Sequence, residues 1–353
     1  MDLFASFKNK ILPYFSKENS PRLVLAVSGG IDSVVLLDLM TRLHTSFPFY
    51  NVVAHLNHNL RGKASEGDFA FVRQEAKKRG LPFEGKKLPA GKLKKAGNLQ
   101  EEARKLRYAF LAEVALKHRA DFMVTAHQAD DQAETFFMRL IRGSGSEGLK
   151  GMEVLTSFDP REWGVARTYR KKKWLLRPLL SYSRATLLEY ARERKLRWRE
   201  DASNLKEDYL RNRIRKRLMK PLLALHPKAV DCLSQAMGIL GEEDAYFKEW
   251  IHREMPARMT RLKGGISISL GWLGSQPKAL RYRIYRECLR EGGLGLAGIE
   301  KKHLDALEEM ILGRKTSMKI TFPRGFGAYL LGKQFIFRKM GKTPPRQKRG
   351  FFY

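Results

Sequence analysis

The chain has 353 residues, of which 43% are hydrophobic, so it is long enough for about two domains with ordinary apolar cores. Its 68 Lys and Arg residues against 37 Asp and Glu residues leave a formal net charge of +31. Such an excess indicates a polyanionic partner, most often nucleic acid. No apolar run reaches the roughly 20 residues of a membrane span, and the N-terminus lacks the pattern of a signal peptide. The composition predicts a cytoplasmic protein with no membrane partner.

The cysteine content argues against several kinds of site. The sequence contains Cys232 and Cys288, which are far apart, and no Cys-x-x-Cys pair. A zinc site, an iron–sulfur cluster or a disulfide framework is therefore not expected.

The positive charge is concentrated in two regions. Residues 170–217 contain 17 Lys or Arg and 6 Asp or Glu, a net charge of +11, and residues 338–349 contain six basic residues and no acid. Aromatic residues lie among the charges of the first region, including Trp174, Tyr182, Tyr190 and Trp198. Because aromatic rings and guanidinium groups stack on unpaired bases, this mixture favours RNA over a DNA groove.

The first predicted elements are a strand and a helix joined by the stretch SGGIDS, residues 28–33. Residues 23–27 form an apolar run typical of a buried strand, and helical spacing follows from Val34 to Met40. Two glycines let a ligand approach the backbone, and the N-terminus of a helix binds phosphate. A plain strand–helix turn is the alternative. Asp32 beside a phosphate indicates a magnesium ion between them.

Strands and helices continue to alternate after this turn. The predicted elements are a strand at 51–56, a helix at 65–80 with Ser65 as its N-cap, a strand at 82–88, a helix at 98–120 and a strand at 121–126. This order predicts an α/β fold with a doubly wound parallel sheet of Rossmann-like type.

Three polar clusters fall where predicted strands end, which is the edge at which such sheets bind ligands. They are the 28–33 turn, the loop at 55–61 and the stretch at 127–134. In the third cluster, Asp130 and Asp131 lie four and three residues before Glu134, so at least one pair shares a helix face. These acids suit magnesium or an amine substrate; a solvated acidic first turn is the alternative. For His55 and His58, hydrogen bonding or phosphate contact is favoured over metal binding.

SGGIDS resembles the PP-loop of the N-type ATP pyrophosphatases, which split ATP between the α and β phosphates and adenylate an acceptor oxygen. Five further stretches resemble the tRNA(Ile)-lysidine synthase family, in that family's order and across most of residues 20–225. They are AHLNHNLRG, EEARKLRYAFL, TAHQADDQAETFFMRLIRGSG, RPLL and WREDASNLKEDYLRNRIRKRLMKPL.

The resemblance implies a two-step reaction with ATP and Mg²⁺. The wobble cytidine of an isoleucine tRNA with a CAU anticodon is adenylated at its 2-carbonyl, and free L-lysine then displaces AMP. The product, lysidine, pairs with A rather than G, so codon reading changes from AUG to AUA.

The resemblance also implies roles for individual residues. ATP binding is expected at Ser28, Gly29, Gly30, Ile31, Asp32 and Ser33, with Asp32 as the magnesium ligand. Catalytic roles are expected for Asp32, Arg104, His127, Asp131 and Glu134. Arg104 and Arg107 lie one turn apart, and the resemblance favours Arg104 as the group that stabilises the adenylate. Lysine or tRNA binding is expected at His58, Arg61, Asp130, Asp131, Glu134, Asn204, Arg211 and Arg213. An ordinary basic helix face is the alternative for Arg211 and Arg213.

The sequence predicts three parts: a catalytic PP-loop domain at 1–218, a linker helix with a small, mainly helical α+β domain at 219–340, and a basic tail at 341–353. A hairpin is expected near the end of the second part. Longer family members carry a further C-terminal domain that contacts the tRNA acceptor stem, and the chain is expected to lack it. The resemblance leaves both a monomer and a homodimer open.

Two other functions remain as alternatives. A PP-loop tRNA thiolation enzyme needs reactive cysteines or a cluster, and both cysteines fall outside the predicted α/β domain. An RNA-binding protein without catalysis is disfavoured by the intact polar clusters.

Overall fold

The computed structural model describes residues 2–15, 20–93, 99–165, 173–200, 210–294, 296, 298–313 and 319–340. The chain divides into two compact units, Met1–Gly241 and Glu242–Tyr353. The domain boundary after residue 218 stays a prediction, and the basic tail at 341–353 lies outside the described residues. In the described chain, no helix is both long and apolar enough to cross a membrane.

Helices and strands alternate through the first unit, as predicted. Its strands are β1 (Arg22–Ala26), β2 (Tyr50–Asn57), β3 (Phe83–Lys87), β4 (Phe122–Val124), β5 (Leu155–Phe158) and β6 (Lys173–Leu176). Its helices are α1 (Leu3–Ile11), α2 (Ile31–His44), α3 (Lys63–Lys78), α4 (Leu99–Lys117), α5 (Ala129–Ile141), α6 (Ser146–Leu149), α7 (Arg184–Glu193), α8 (Leu210–Arg213) and α9 (Lys220–Leu225). A π-helical segment, Ile214–Met219, joins α8 to α9, and α10 (Ala229–Glu254) begins in this unit.

The first six strands form one sheet in the order β3-β2-β1-β4-β6-β5. Neighbours run parallel except β5, which is antiparallel to β6. Leu23 and Leu25 of β1 pack into a core with α1, α2 and α7, whereas Val24 packs into a second core with α4. Because alternate residues of a strand face opposite sides, β1 is buried on both faces. The predicted doubly wound α/β fold is confirmed.

The start of α3 differs from the prediction. The helix begins at Lys63, and its N-cap is Gly62, with a φ of 53°. Ser65 lies inside the first turn, and its Oγ accepts a hydrogen bond from the backbone N–H of Arg61 at 3.2 Å. The prediction of Ser65 as N-cap was wrong, because the preceding loop uses the serine hydroxyl and the glycine adopts the positive φ that starts the helix.

The second unit contains a five-stranded antiparallel sheet in the order β7-β8-β11-β10-β9. The strands are β7 (Met259–Leu262), β8 (Gly265–Ser269), β9 (Lys319–Phe322), β10 (Phe326–Leu331) and β11 (Gln334–Lys339). The helices are α11 (Leu270–Ser275), α12 (Lys278–Glu291) and α13 (Lys301–Ile311). The predicted C-terminal hairpin is confirmed as β10 and β11.

A buried polar contact fixes α2, the helix after SGGIDS, against α7. The Tyr190 hydroxyl donates to the Asp38 carboxylate at 2.7 Å and accepts from Arg42 Nη1 at 2.9 Å. Asp38 is 7% exposed. Since a buried hydroxyl without a partner is costly, Asp38 holds the helix that carries the loop.

We expect Asp38→Ala to lower the free energy of unfolding by about 2 to 3 kcal/mol, because the Tyr190 hydroxyl loses its acceptor. Urea denaturation measures this loss. Glu189→Ala, at an exposed position of α7 beside Tyr190, is the control and should change stability by less than about 0.5 kcal/mol. Equal effects of the two substitutions would contradict the role of Asp38.

Candidate active site

The SGGIDS turn connects β1 to α2 and is organised around Ser33. Its Oγ accepts hydrogen bonds from the backbone N–H groups of Ser28 and Gly29, both at 3.2 Å, and donates to the carbonyl of Gly30 at 2.8 Å. Gly29 has a φ of +94°, and an added Cβ would lie 3.3 Å from Val72 Cγ2. No side chain caps α2 at Gly30. The first turn of a 14-residue helix is therefore open to an anion.

A cavity of about 480 Å³ lies in front of this turn. The ends of β1, β2 and β4 meet at it, since β1 pairs with β2 on one side and β4 on the other. Beyond the loop, the predicted residues that line it are His58, Arg61, His127, Asp131 and Arg211. Its volume is that of a small-molecule site, and its position is the switch point of the sheet, where ligands bind in this class of fold.

Three histidines at the cavity are held in a neutral form. Burial lowers the pKa of His58 to about 4, with the charges of Arg107 and His55 adding to the effect. Burial also lowers the pKa of His55 and takes that of His127 well below its usual value. His127 Nδ1 lies 2.9 Å from Thr125 Oγ1, and His58 Nδ1 is buried without a partner among the described residues. Neutral imidazoles suit hydrogen bonds to a ligand.

The three acids of the third cluster are engaged by the protein itself. Asp130 accepts a hydrogen bond from the backbone N–H of Arg184 at 2.8 Å. Asp131 accepts from the backbone N–H of Gln128 at 3.1 Å and from Arg211 Nη2 at 3.1 Å. Glu134, whose side chain is 2% exposed, accepts from Arg211 Nε and Arg215 Nε, both at 2.6 Å. Of the three, Asp131 lines the cavity.

Asp32 is different, because its Oδ1 is buried and has no hydrogen-bond partner in the described chain. The pKa of Asp32 is raised to about 6, and burial is the largest cause. The charges of Arg184 and Arg215 oppose the shift, and those of Asp131 and Asp130 add to it. A carboxylate oxygen left unpaired beside other acids fits a divalent cation.

A magnesium ion at Asp32 would need ligands from a bound substrate as well as from the protein. Among the described residues, no group of three His, Cys, Asp or Glu side chains converges as a metal cage. Mg²⁺ usually takes one or two protein carboxylates together with substrate phosphates and water. Asp32 at the open end of α2 therefore fits an ion that arrives with a phosphate ligand.

Several predicted residues lie elsewhere. Arg107 lines the cavity, whereas Arg104, favoured from the sequence, lines a neighbouring one. Arg213 is exposed and is not among the residues that line either cavity. Asn204 lies outside the described residues.

The contacts that Asp68, Arg199 and Arg215 make at the site were not predicted from the sequence. Asp68 accepts from Arg61 Nη2 at 2.6 Å and from Arg199 Nε at 3.1 Å, and the backbone N–H of Arg199 donates to Gly29 O at 2.9 Å. Arg215 was also missed, although it lies one helical turn after Arg211 in the basic stretch that the sequence singled out. That spacing is the one signal in the sequence that points to it.

A family model and a solved structure show the class of domain to which the first unit belongs. The family model of the PP-loop domain matches residues 3–222. A U34-tRNA thiolase from Methanococcus maripaludis with its [4Fe-4S] cluster aligns with a TM-score of 0.52 and 16% identity, over 67% of this chain and 78% of that one, and shows the shared fold alone. The first unit is an ATP-binding PP-loop domain.

Curated relatives define the family within this class. A tRNA(Ile)-lysidine synthase from Geobacter sulfurreducens is 36% identical over 93% of this chain and 67% of its own length. One from Symbiobacterium thermophilum is 36% identical over 81% of this chain and 58% of its own length. The chain belongs to the tRNA(Ile)-lysidine synthase family, and it spans about three fifths to two thirds of the length of these relatives.

The lowered pKa of His58 predicts a loss of stability in acid. Between pH 6.5 and about 4, the unfolded chain binds a proton on His58 that the folded chain does not. The stability that depends on neutral His58 is therefore complete above pH 6.5 and is lost as the pH falls towards 4. Asp32, with its raised pKa, acts in the opposite direction over part of this range. We expect the melting temperature of the parent to fall further than that of His58→Gln between pH 7 and pH 5, with a difference of about 2 °C or more.

Thermal melts at the two pH values test this expectation. His226→Gln, at an exposed position, is the matched control and should follow the parent. A His58→Gln curve that runs parallel to that of the parent would show that the imidazole is not kept neutral by the fold.

The burial of Glu134 predicts a second effect. Glu134→Ala removes the acceptor of Arg215 Nε and one of the two carboxylates that pair with Arg211, and we expect the free energy of unfolding to fall by about 2 kcal/mol or more. Glu113→Ala, which breaks an exposed ion pair with Lys86, should cost less than about 1 kcal/mol. Urea denaturation compares the two; similar losses would mean that the Glu134 cluster adds no stability.

Proposed function

We propose that this chain uses ATP to join free L-lysine to the 2-position of the wobble cytidine in the CAU anticodon of an isoleucine tRNA. The observation that carries the proposal is the unpaired Oδ1 of Asp32 at the uncapped N-terminus of α2, facing a cavity whose walls carry basic, acidic and neutral polar groups. Family membership supports the same chemistry.

ATP binding is assigned to the SGGIDS turn. The positive φ of Gly29 and the uncapped first turn of α2 suit close approach of phosphate oxygens to backbone N–H groups. Asp32 would hold Mg²⁺ together with the ATP phosphates, and the ion would neutralise charge on the departing pyrophosphate. Arg61, oriented by Asp68, lines the same cavity and adds positive charge.

The first step is adenylation of the tRNA base. The 2-carbonyl oxygen of the cytidine attacks the α-phosphorus of ATP, the bond to the β-phosphate breaks, and pyrophosphate leaves. Arg107 lines the cavity and is better placed than Arg104 to stabilise the negative charge that develops on the α-phosphate. His127, kept neutral by burial, is assigned a hydrogen bond to the nucleotide.

The second step is attack by lysine. The ε-amine must react in its neutral form, bonding to C2 of the base while the bond from C2 to the adenylate oxygen breaks and AMP leaves. Asp131 is the acid at the cavity, and burial raises its pKa, with Arg211 acting in the opposite direction. A carboxylate with a raised pKa is the better proton acceptor, so Asp131 is assigned to orient the amine and take its proton.

The modified base would pair with A rather than G, so the tRNA would read AUA in place of AUG. Recognition of this tRNA is assigned to the exposed basic side chains between residues 184 and 199 and to Arg211, which lines the cavity. Tyr182 and Tyr190 are buried and do not belong to that surface.

The test is incorporation of radiolabelled lysine into an unmodified isoleucine tRNA with a CAU anticodon. We expect labelling that requires ATP, and we expect Asp32→Ala to reduce it by at least about a hundredfold, because the metal-linked phosphate contact is lost. Glu162→Ala, exposed in the same unit, should label as the parent does.

Three other results would each contradict part of the proposal. Release of AMP and pyrophosphate that depends on tRNA but not on lysine, with no label in the RNA, would indicate a different nucleophile. Absence of ATP binding would favour an RNA-binding protein without catalysis. Full activity of Asp32→Ala would remove the metal role of Asp32.

A further inference from the structure

A second cavity, of about 400 Å³, lies beside the first, and its lining carries four basic side chains and two acidic ones. Three guanidinium groups line it: Arg104 from α4, Arg139 from α5 and Arg177, which follows β6. Lys150, after α6, adds a fourth positive group. From the sequence, Arg104 was expected to stabilise the adenylate, and no individual role was expected for Arg139, Arg177 or Lys150.

Two of the arginines are held in place by neutral groups. Arg139 Nη1 donates to the carbonyls of Gly148 at 2.5 Å and Gly151 at 2.9 Å. Arg177, which is 7% exposed, donates from Nη1 to the carbonyl of Glu153 at 2.8 Å and to Thr156 Oγ1 at 3.2 Å. Main-chain acceptors therefore fix both side chains without cancelling their charge.

The positive charge in this cavity exceeds the negative charge of its two acids, Glu147 and Glu153. In the described chain, no ion pair joins Arg104, Arg139 or Arg177 to a carboxylate, and the nearby Glu153 pairs with Lys150. Burial lowers the pKa of Arg139 and of Arg177, and the charge of Arg104 lowers each further. Like charges gathered in a partly buried space are unfavourable, and a bound anion would offset that cost.

We propose that this cavity binds a phosphate group of the RNA substrate, next to the nucleotide that enters the first cavity. The proposal rests on the proposed function for the identity of the RNA. A phosphate accepts hydrogen bonds from several guanidinium groups at once, which is the geometry that arginine favours. The carboxylate of an amino acid would need fewer cations and an acidic partner for its ammonium group. Both acids at the cavity, Glu147 and Glu153, are already engaged within the protein.

The position of α4 supports this assignment. Arg104 and Arg107 lie three residues apart, about 4.5 Å along the helix axis, and both guanidinium groups contact the ring of Tyr108, at 5.3 and 5.6 Å from its centroid. Arg107 lines the first cavity and Arg104 the second. One turn of helix thus separates the two cavities, so adjacent groups of one RNA strand can reach both.

The test measures binding of the unmodified tRNA transcript as a function of salt concentration, without turnover. Each phosphate contact contributes about 0.7 to the slope of log K against log[salt] for a single strand. We expect Arg139→Gln and Arg104→Gln each to lower the slope by about 0.7 and to weaken binding about tenfold at low salt. Arg142→Gln removes an exposed arginine just after α5 and should leave the slope unchanged.

Two variants are used because Arg139 also holds main-chain carbonyls, whereas Arg104 is exposed. Thermal melts of both, and the Michaelis constants for tRNA, ATP and lysine, complete the set. A raised constant for tRNA alone supports the proposal. A raised Michaelis constant for lysine with an unchanged salt slope would overturn the proposal in favour of a carboxylate site. Equal salt slopes for Arg104→Gln, Arg139→Gln and the control Arg142→Gln would also overturn it. Since binding is read directly, a parent protein that binds tRNA but does not incorporate lysine would count against the proposed function and not against this site.

Discussion

The parallel pairing of β1 with β2 on one side and β4 on the other is the constraint on which the site depends. Because neighbouring parallel strands end at the same edge of the sheet, the loops that follow β1, β2 and β4 leave beside one another. The open N-terminus of α2 therefore faces His58 and His127 across one cavity. Asp38 and Tyr190 fix α2 in that position by a contact in the middle of the helix.

Charge pairing inside the first unit decides which acids remain available. Asp130 and Glu134 are satisfied by the backbone of Arg184 and by two arginine side chains, and Asp131 is shared between its own helix and Arg211. A carboxylate so engaged has fewer lone pairs left for a ligand, and competition with its protein donors is a cost of binding there. Asp32 has no such cost at Oδ1, because burial has already removed its water without supplying a partner.

Arginine has two different roles around α4. Arg211 and Arg215 neutralise buried carboxylates, whereas Arg104, Arg139 and Arg177 are held by neutral acceptors or lie exposed beside an aromatic ring. The first arrangement stabilises the fold, and the second keeps positive charge free for a ligand. The net charge of +31 alone does not separate these roles.

The sequence by itself determined the doubly wound sheet and the SGGIDS turn, because apolar periodicity and glycine chemistry are local properties of the chain. The resemblance of its motifs indicated the family. The tertiary structure decided which polar groups remain free. The i, i+3 spacing of Asp131 and Glu134 places them on one helix face, but their partner Arg211 lies 80 and 77 residues away. In the same way, the spacing of Arg104 and Arg107 could not assign each to its cavity, and Ser65 was taken for an N-cap because its bond to Arg61 depends on the folded loop. Hydrogen bonds between distant segments are set by how the helices pack, and no local pattern records them.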